Sequence, residues 1–359
     1  MKKGIFGAAL DIGTTEIKGS LLDMKSKKEL VSGSVPNEQR GFGPDVITRL
    51  QFATTRKEGL KELNKRTISA INKLLNKLAD KASVNKKDIK RIVAVGNSVM
   101  YHLVLMVKPD SLARAPFMPA ETKMQEKNAG EMGISAGDTF KFLPNISGFI
   151  GSDTLAAILV TEIHKKGRYS LIIDIGTNGE IALGSKDKIL VASCACGPAF
   201  EGRHMRPGSR AIDIIAVLLN KGAIDKTGRL DAGAGEKAHL TQQDVRKVQV
   251  AKAALRAGVE ILMSKLALDA EDIHRLYITG KFGTSVNIRN AKNVGLIPRK
   301  IPDNKVYFLE EGALSGAKKV LLEPKAEKEI SGILSICEHV ELHKDKDFQD
   351  IFAASMSFQ

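Results

Sequence analysis

Two aspartates stand in almost the same surroundings: Asp11 in AALDIGTTE (residues 8–16) and Asp174 in LIIDIGTNGE (residues 171–180). In each copy an apolar run leads into Asp-Ile-Gly-Thr. The run reads as a buried strand, and the glycine two residues after the aspartate lets the backbone turn tightly and approach a ligand with no Cβ in the way. Gly13, Thr14 and Thr15 in the first copy, and Gly176, Thr177 and Asn178 in the second, offer backbone N–H groups flanked by short hydroxyl and amide side chains. Such a turn can cradle a phosphate. A carboxylate at the strand end is a hard oxygen donor for hydrated Mg²⁺, the ion that travels with nucleotide phosphates. Asp11 and Asp174 are therefore the candidates for holding Mg²⁺ through water and for orienting an attacking water. One Asp-x-Gly-Thr turn is commonplace in hairpins, whereas two with matching surroundings are a repeat.

The elements that must position these turns also repeat. After Asp11, residues 16–24 (EIKGSLLDM) and 29–35 (ELVSGSV) read as two more strands joined by the polar turn 25–28; after Asp174, residues 180–184 and 188–193 do the same. The first half continues into a helical pattern over 60–82, with Leu63, Ile68, Ile71, Leu74, Leu75 and Leu78 on one face, and then a strand over 89–95 ending in Gly96. The second continues into a helix over 245–268, with Val248, Ala251, Leu255, Val259 and Leu262 recurring at three and four, and a strand over 276–279 ending in Gly280. Each half reads β-β-β-α-β, then helix. Residues 36–52, with Gly41, Gly43 and Pro44, read as a loop. Residues 109–137, interrupted by prolines, read as an irregular excursion, and residues 306–322 read as strand then helix.

This organisation resembles the actin-like ATPase and sugar-kinase (ASKHA) superfamily, an α/β class with a duplicated ribonuclease-H-like fold. More narrowly, the chain resembles the ATPase portion of the reductive activators of corrinoid iron–sulfur proteins and corrinoid-dependent methyltransferases. The shared landmarks are GPDVITR at 43–49, GNSVMYH at 96–102, GFIGSD at 148–153, DIGTNGE at 174–180, GPAFEG at 197–202 and GKFG at 280–283. The resemblance implies two lobes, 1–147 and 148–359, the second including a connecting helix, with a nucleotide cleft between them. It implies ATP and Mg²⁺ as cofactors and phosphoryl transfer by positioning and electrostatics. It also implies a function, the conversion of a cob(II) centre in a partner corrinoid protein or methyltransferase to cob(I). The electron would come from a separate ferredoxin-like domain or protein, and a homodimer is compatible with this reading.

Further site residues follow from the same landmarks. In the resembled family the stretch 36–52 adjoins the cleft, so Asp45 and Arg49 read either as contacts there or as solvated loop residues. Asp153 reads either as a helix cap or as a carboxylate facing Mg²⁺ and the attacking water. Glu201, the ionisable group within GPAFEG, reads as a cleft carboxylate or as part of a structural turn; Pro198 beside it cannot continue a central strand. Gly197 allows an unusual backbone path beside a ligand. Gly280, Lys281 and Gly283 fall where the superfamily's adenosine-binding glycines fall, Lys281 being a departure from the paired glycines of many members.

Composition agrees with a two-lobed protein: 359 residues, 43% hydrophobic. No apolar run approaches the roughly 18 residues of a membrane helix, and Asp11 interrupts any signal-peptide core after Met-Lys-Lys, so the reading is cytoplasmic. The net charge of +14 is concentrated between residues 56 and 91 as a solvated helix face, and no aromatic-and-basic recognition motif signals nucleic acid. Cys194, Cys196 and Cys337 are too few for a four-thiolate cluster, so no iron–sulfur centre is expected in this chain. Cys194 and Cys196 read as small buried residues; Cys337, His339 and His343 have ligand-like spacing, but three candidates in a region that reads as a strand make zinc the lesser reading. Two alternatives remain at this level. One is a small-molecule kinase, with Asp153, Asp174 or Glu201 as base. The other is a nucleotide-binding switch without turnover.

Overall fold

The computed structural model describes residues 3–176, 178–194, 196, 211–280 and 286–358. The chain divides into two compact units: residues 1–160 with 312–335, and residues 161–311 with 336–359.

In the first unit β1 (Phe6–Ile12), β2 (Glu16–Asp23) and β3 (Lys28–Pro36) form an antiparallel meander. Helices α1 (Val46–Thr55) and α2 (Gly59–Ala82) follow, then β4 (Ile89–Gly96), which runs parallel to β1, and α3 (Ser98–Leu105). β5 (Gln125–Asn128) and β6 (Thr139–Phe142) complete a sheet of order β3-β2-β1-β4-β6-β5, and α4 (Ser152–Thr161) closes this stretch. The apolar stripe of α2 supplies the core: Leu63, Ile71, Leu74, Leu75 and Leu78 are fully buried, each such side chain contributing about 1.5–3 kcal/mol. A Cβ on Gly19 of β2 would lie 3.0 Å from Leu74, so a glycine lets this helix seat on the sheet.

The second unit repeats the plan. β7 (Ser170–Ile175), β8 (Gly179–Gly184) and β9 (Ile189–Cys194) form the meander. They are followed by α5 (Ala211–Asn220), α6 (Ala232–Ala238) and α7 (Gln242–Lys265), the last begun by a Thr241/Asp244 capping box. Then come β10 (Arg275–Thr279), parallel to β7, α8 (Ile288–Asn293) and β11 (Val306–Phe308). Helices α9 (Gly312–Leu322) and α10 (Ala326–Ile336) precede β12 (Cys337–His339) and α11 (Phe348–Met356). The sheet order is β11-β10-β7-β8-β9-β12. The run β3-β2-β1-β4-β6 of the first sheet thus matches β9-β8-β7-β10-β11 of the second, and the chain is a duplicated α/β fold.

Three expectations differ from what is observed. Residues 36–52 are not a loop: a 3₁₀ turn (Glu38–Phe42) leads into α1, whose start is set by Asp45 accepting the Thr48 N–H at 2.8 Å in a capping box. The excursion over 109–137 contains strand β5, and β6 follows it. Helix α4 through residue 160, together with α9, packs with the first unit, not with the residues after 147 as the expected boundary placed them; Gly316 of α9 lies so close to Ala156 that a Cβ there would stand 2.5 Å from it.

Candidate functional site

Both Asp-Ile-Gly-Thr turns leave the C-terminal end of a strand that has a parallel neighbour: β1 beside β4, and β7 beside β10. In open α/β sheets, ligands bind beyond this end of the strands. In the first unit Ile12 stands opposite Gly96, and a Cβ on Gly96 would lie 2.6 Å from the Ile12 carbonyl oxygen. In the second unit Asp174 stands opposite Thr279, and Gly280 is the next residue. Gly280 has φ +87°, and a Cβ there would lie 2.2 Å from Asp174 Oδ1 and 2.6 Å from the Ile175 carbonyl. Only glycine fits a backbone of that hand pressed against a carboxylate. The two glycines that end β4 and β10 therefore do the same thing, pressing bare backbone against a phosphate-type turn.

The two hairpins differ by one residue. Ile12 pairs with Ile17 across a four-residue turn, closed by the Gly13 N–H donating to the Glu16 carbonyl at 3.1 Å; Ile175 pairs with Gly179 across three residues. As a result Lys18 stands across the ladder from Asp11, while Glu180 stands across from Asp174. Directly opposed residues share a face. Asp11 has a cationic neighbour there, and Asp174 a second carboxylate, a pair of hard oxygen donors of the kind Mg²⁺ accepts. Among the described residues no group of three or more His, Cys, Asp or Glu is placed to hold a metal. A Mg²⁺ at these turns would take its other ligands from water and phosphate.

The first turn is held from beneath. Asn37, fully buried, donates from Nδ2 to the Gly13 carbonyl (2.9 Å) and from its backbone N–H to the Thr15 carbonyl (3.0 Å), while its Oδ1 accepts the Gln39 N–H. Asn97 caps α3 through the Met100 N–H and donates from Nδ2 to Thr14 Oγ1 at 3.1 Å. Thr15 Oγ1 is buried with no hydrogen-bond partner in the protein. An orphaned hydroxyl in a turn of this shape fits a phosphate oxygen or a phosphate-bound water.

Asp153 belongs to the same unit and to the same corner. Ser152 Oγ bonds both the N–H and the carbonyl of Gly96 at 3.1 Å, and a Cβ on Gly151 would lie 2.4 Å from the Gly96 carbonyl and 2.8 Å from Asp153 Oδ1. A continuous path therefore joins Asp153 through Gly151, Gly96 and Asn97 to Thr14. Asp153 sits in the first turn of α4, its Oδ1 accepting the Thr154 N–H at 2.8 Å. Burial raises its pKa to about 6. A carboxyl that titrates near neutrality is suited to taking up or releasing a proton.

Of the other expected residues, Asp45 is a helix cap, and Arg49 is wholly buried, donating from Nε to the Gly43 carbonyl and from Nη1 to Gln39 Oε1. Cys194 and Cys196 are buried, and burial, aided by the nearby Glu180 charge, pushes both thiols far above their ordinary pKa. Thr177, Gly197, Glu201, Lys281 and Gly283 lie outside the described residues. Asn37 and the Ser152–Gly96 bond leave no signal in the sequence, since a lone asparagine or serine in a connecting segment carries no pattern.

The family follows from comparison with known proteins. A family model described as the RACo middle region matches residues 6–166, and one described as the C-terminal domain of RACo, the ASKHA domain, matches residues 168–215 and 230–359. The chain belongs to the RACo family. It is 32% identical to the corrinoid activation enzyme RamQ of Eubacterium limosum, over 99% of this chain and 71% of that one. It is 23% identical to the [Co(II) methylated amine-specific corrinoid protein] reductase of Methanosarcina barkeri, over 99% of this chain and 77% of that one. A solved structure of a reductive activator for corrinoid, iron–sulfur protein superposes with a TM-score of 0.91 at 30% identity, covering 100% of this chain and 67% of that chain. The two family regions meet at residues 166–168, just before β7 opens the second repeat. Within the RACo frame, the middle region carries the Asp11 turn and Asp153, and the ASKHA region carries the Asp174 turn and Gly280. No described helix is long and apolar enough to cross a membrane.

Proposed function

We propose that this RACo-family chain binds and hydrolyses Mg·ATP and thereby drives the one-electron reduction of a cob(II) centre in a partner corrinoid protein to cob(I). The electron comes from a separate iron–sulfur domain or protein. The observation that carries the reading is the pair of carboxylate-and-glycine cradles at equivalent strand ends, in a chain that matches the family along nearly its whole length.

When bound, Mg·ATP supplies the phosphoryl group whose hydrolysis releases the free energy. The residues of the chain supply position and charge. Backbone N–H groups of Gly13 to Thr15 and of Gly176 to Asn178 hold phosphate oxygens, and the Thr15 hydroxyl finds its partner there. Asp11 and Asp174 are the residues that would hold hydrated Mg²⁺, which would supply positive charge against the phosphates. Asp153, with its pKa near neutrality, accepts a proton from the attacking water at a carboxylate oxygen and returns it to solvent. Gly197, Glu201, Lys281 and Gly283 complete the nucleotide site in this reading.

Phosphate release from Mg·ATP tests it, measured for the chain alone and with a corrinoid methyltransferase held in its cob(II) state, beside Asp174→Ala. Stimulation by the corrinoid protein, abolished in Asp174→Ala, is expected. Nucleotide binding with no phosphate release in either condition overturns it.

A further inference from the structure

The second sheet has another end. Strands β7, β10 and β11 all begin there, about five residues or roughly 17 Å from the Asp174 turn. Lys166 and Arg168 lead into β7, His274 and Arg275 open β10, and Lys305 leads into β11. Three of the four tyrosines in the chain, Tyr169, Tyr277 and Tyr307, stand in the same segments.

These groups are built together. The Arg275 guanidinium lies 5.1 Å from the Tyr307 ring centre, and Lys166 Nζ lies 5.6 Å from that of Tyr277; the two rings are 5.8 Å apart. The Tyr277 hydroxyl accepts from Lys166 Nζ at 3.2 Å and from Arg275 Nη1 at 3.3 Å. Lys166 also donates to the Thr161 carbonyl, and Lys305 to the carbonyls of Glu271 and Ile273. The polar contacts of these cations thus go to carbonyls and a phenol, and among the described residues none goes to a carboxylate. Elsewhere in the same unit, lysines such as Lys188, Lys265 and Lys292 are paired with acids. Partial burial and then the charges of Arg168, Arg275, Lys305 and Lys166 hold His274 below its ordinary pKa. Tyr307 and its neighbour Phe308 are 41% and 42% exposed on the edge strand.

Positive charge left without acids, fixed by cation–π stacking and set beside exposed aromatic rings, has the make-up of an interface core rather than of a solvated face. We infer that this face of the second unit, centred on Arg275 and Tyr307, is a docking surface for an acidic patch on a protein partner. The inference rests on the activation reading in one respect only, that the partner there is the corrinoid protein. A nucleic-acid strand is the less favoured occupant. Stacking platforms present successive open rings, and here Tyr277 is covered, leaving Tyr307 alone on its face of the sheet.

The test measures binding of a fluorescein-labelled poly-glutamate peptide by anisotropy at low and high salt, beside labelled poly-dT. The proteins are the full chain, Arg168→Glu/Arg275→Glu, Tyr307→Ala, and a control with the same change of charge on the exposed face of α2, Lys65→Glu/Lys81→Glu. Thermal melts and basal ATP turnover of each report folding. The expected result is a loss of peptide binding of about tenfold in the β10–β11 variants and little change in the control, with melts and turnover unchanged. Equal losses in all the charge variants, or tighter and patch-dependent binding of poly-dT, overturn the inference. If the activation reading alone fails, peptide binding keeps its dependence on Arg275 and Tyr307 while corrinoid protein fails to stimulate turnover.

Discussion

Gly280→Ala is the substitution on which the geometry speaks most directly. At φ +87° a side chain costs about 1–2 kcal/mol in backbone strain alone. The added methyl would also stand 2.2 Å from Asp174 Oδ1 and within 2.8 Å of two backbone atoms of Ile175. The carboxylate can swing aside but the β7 backbone cannot, so the total is about 2 kcal/mol or more. For a unit of this size, that lowers the melting temperature by roughly 4–8 °C. The larger effect falls on the ligand. A displaced Asp174 no longer presents its oxygen to hydrated Mg²⁺, and a misplaced support of this kind costs about 10–100-fold in affinity. Calorimetric titration of Mg·ATP, paired with thermal melts, reads both quantities. Gly167→Ala is the control, because a Cβ there meets nothing within 4 Å. If Gly280→Ala melted with the wild type and bound Mg·ATP equally well, the cradle assigned to Gly280 would be wrong.

Asp153→Asn separates stability from function. The Asp153 carboxyl titrates near 6 because of burial, against an ordinary value near 3.8. Between those pH values the folded chain holds a proton that the unfolded chain has lost, so stability falls as pH rises through the window; above it the ionised group costs about 3 kcal/mol at most. Asp153→Asn should therefore melt higher than wild type at pH 8, while losing most turnover together with the acid limb of the rate profile near pH 6. An unchanged acid limb would remove Asp153 from the proton transfer. Asn37→Ala leaves the Gly13 carbonyl without its side-chain donor and should cost about 1–3 kcal/mol by denaturant unfolding, with a raised KM for ATP and no partner-specific effect. Cys194 and Cys196 should resist maleimide in the folded chain at pH 7.5, reacting only on unfolding; rapid stoichiometric labelling would contradict their placement in the core.

The parts of the fold with a strong period were readable in advance. The apolar stripe of α2 and the doubled Asp-Ile-Gly-Thr strands carried both repeats, because burial imposes their spacing directly on the residues. The sequence of α1 reads as loop because its stabilising device is a cap, Asp45 with Thr48, placed after a Gly-Pro pair that signals a break. The partition of α4 and α9 into the first unit depends on a close approach of Gly316 to Ala156, across more than 150 residues, and nothing local encodes it. At the site, the aspartates and glycines were legible because a phosphate-binding turn tolerates few residue types. Asn37 was not, being one buried side chain whose partners come from a different strand end. The one-residue difference between the two hairpins, which sets Lys18 against Asp11 and Glu180 against Asp174, is a matter of ladder register and is invisible when the motifs are simply aligned.

The most direct test of the central claim is spectroscopic. A corrinoid methyltransferase in the cob(II) state, with a low-potential iron–sulfur electron donor, is followed at the cob(I) absorbance band on addition of this chain with Mg·ATP, with Mg·ADP, or as Asp174→Ala with Mg·ATP. Cob(I) should accumulate only with the unaltered chain and Mg·ATP. Equal accumulation with Mg·ADP or with Asp174→Ala, or none under any condition while ATP is hydrolysed, would contradict the account.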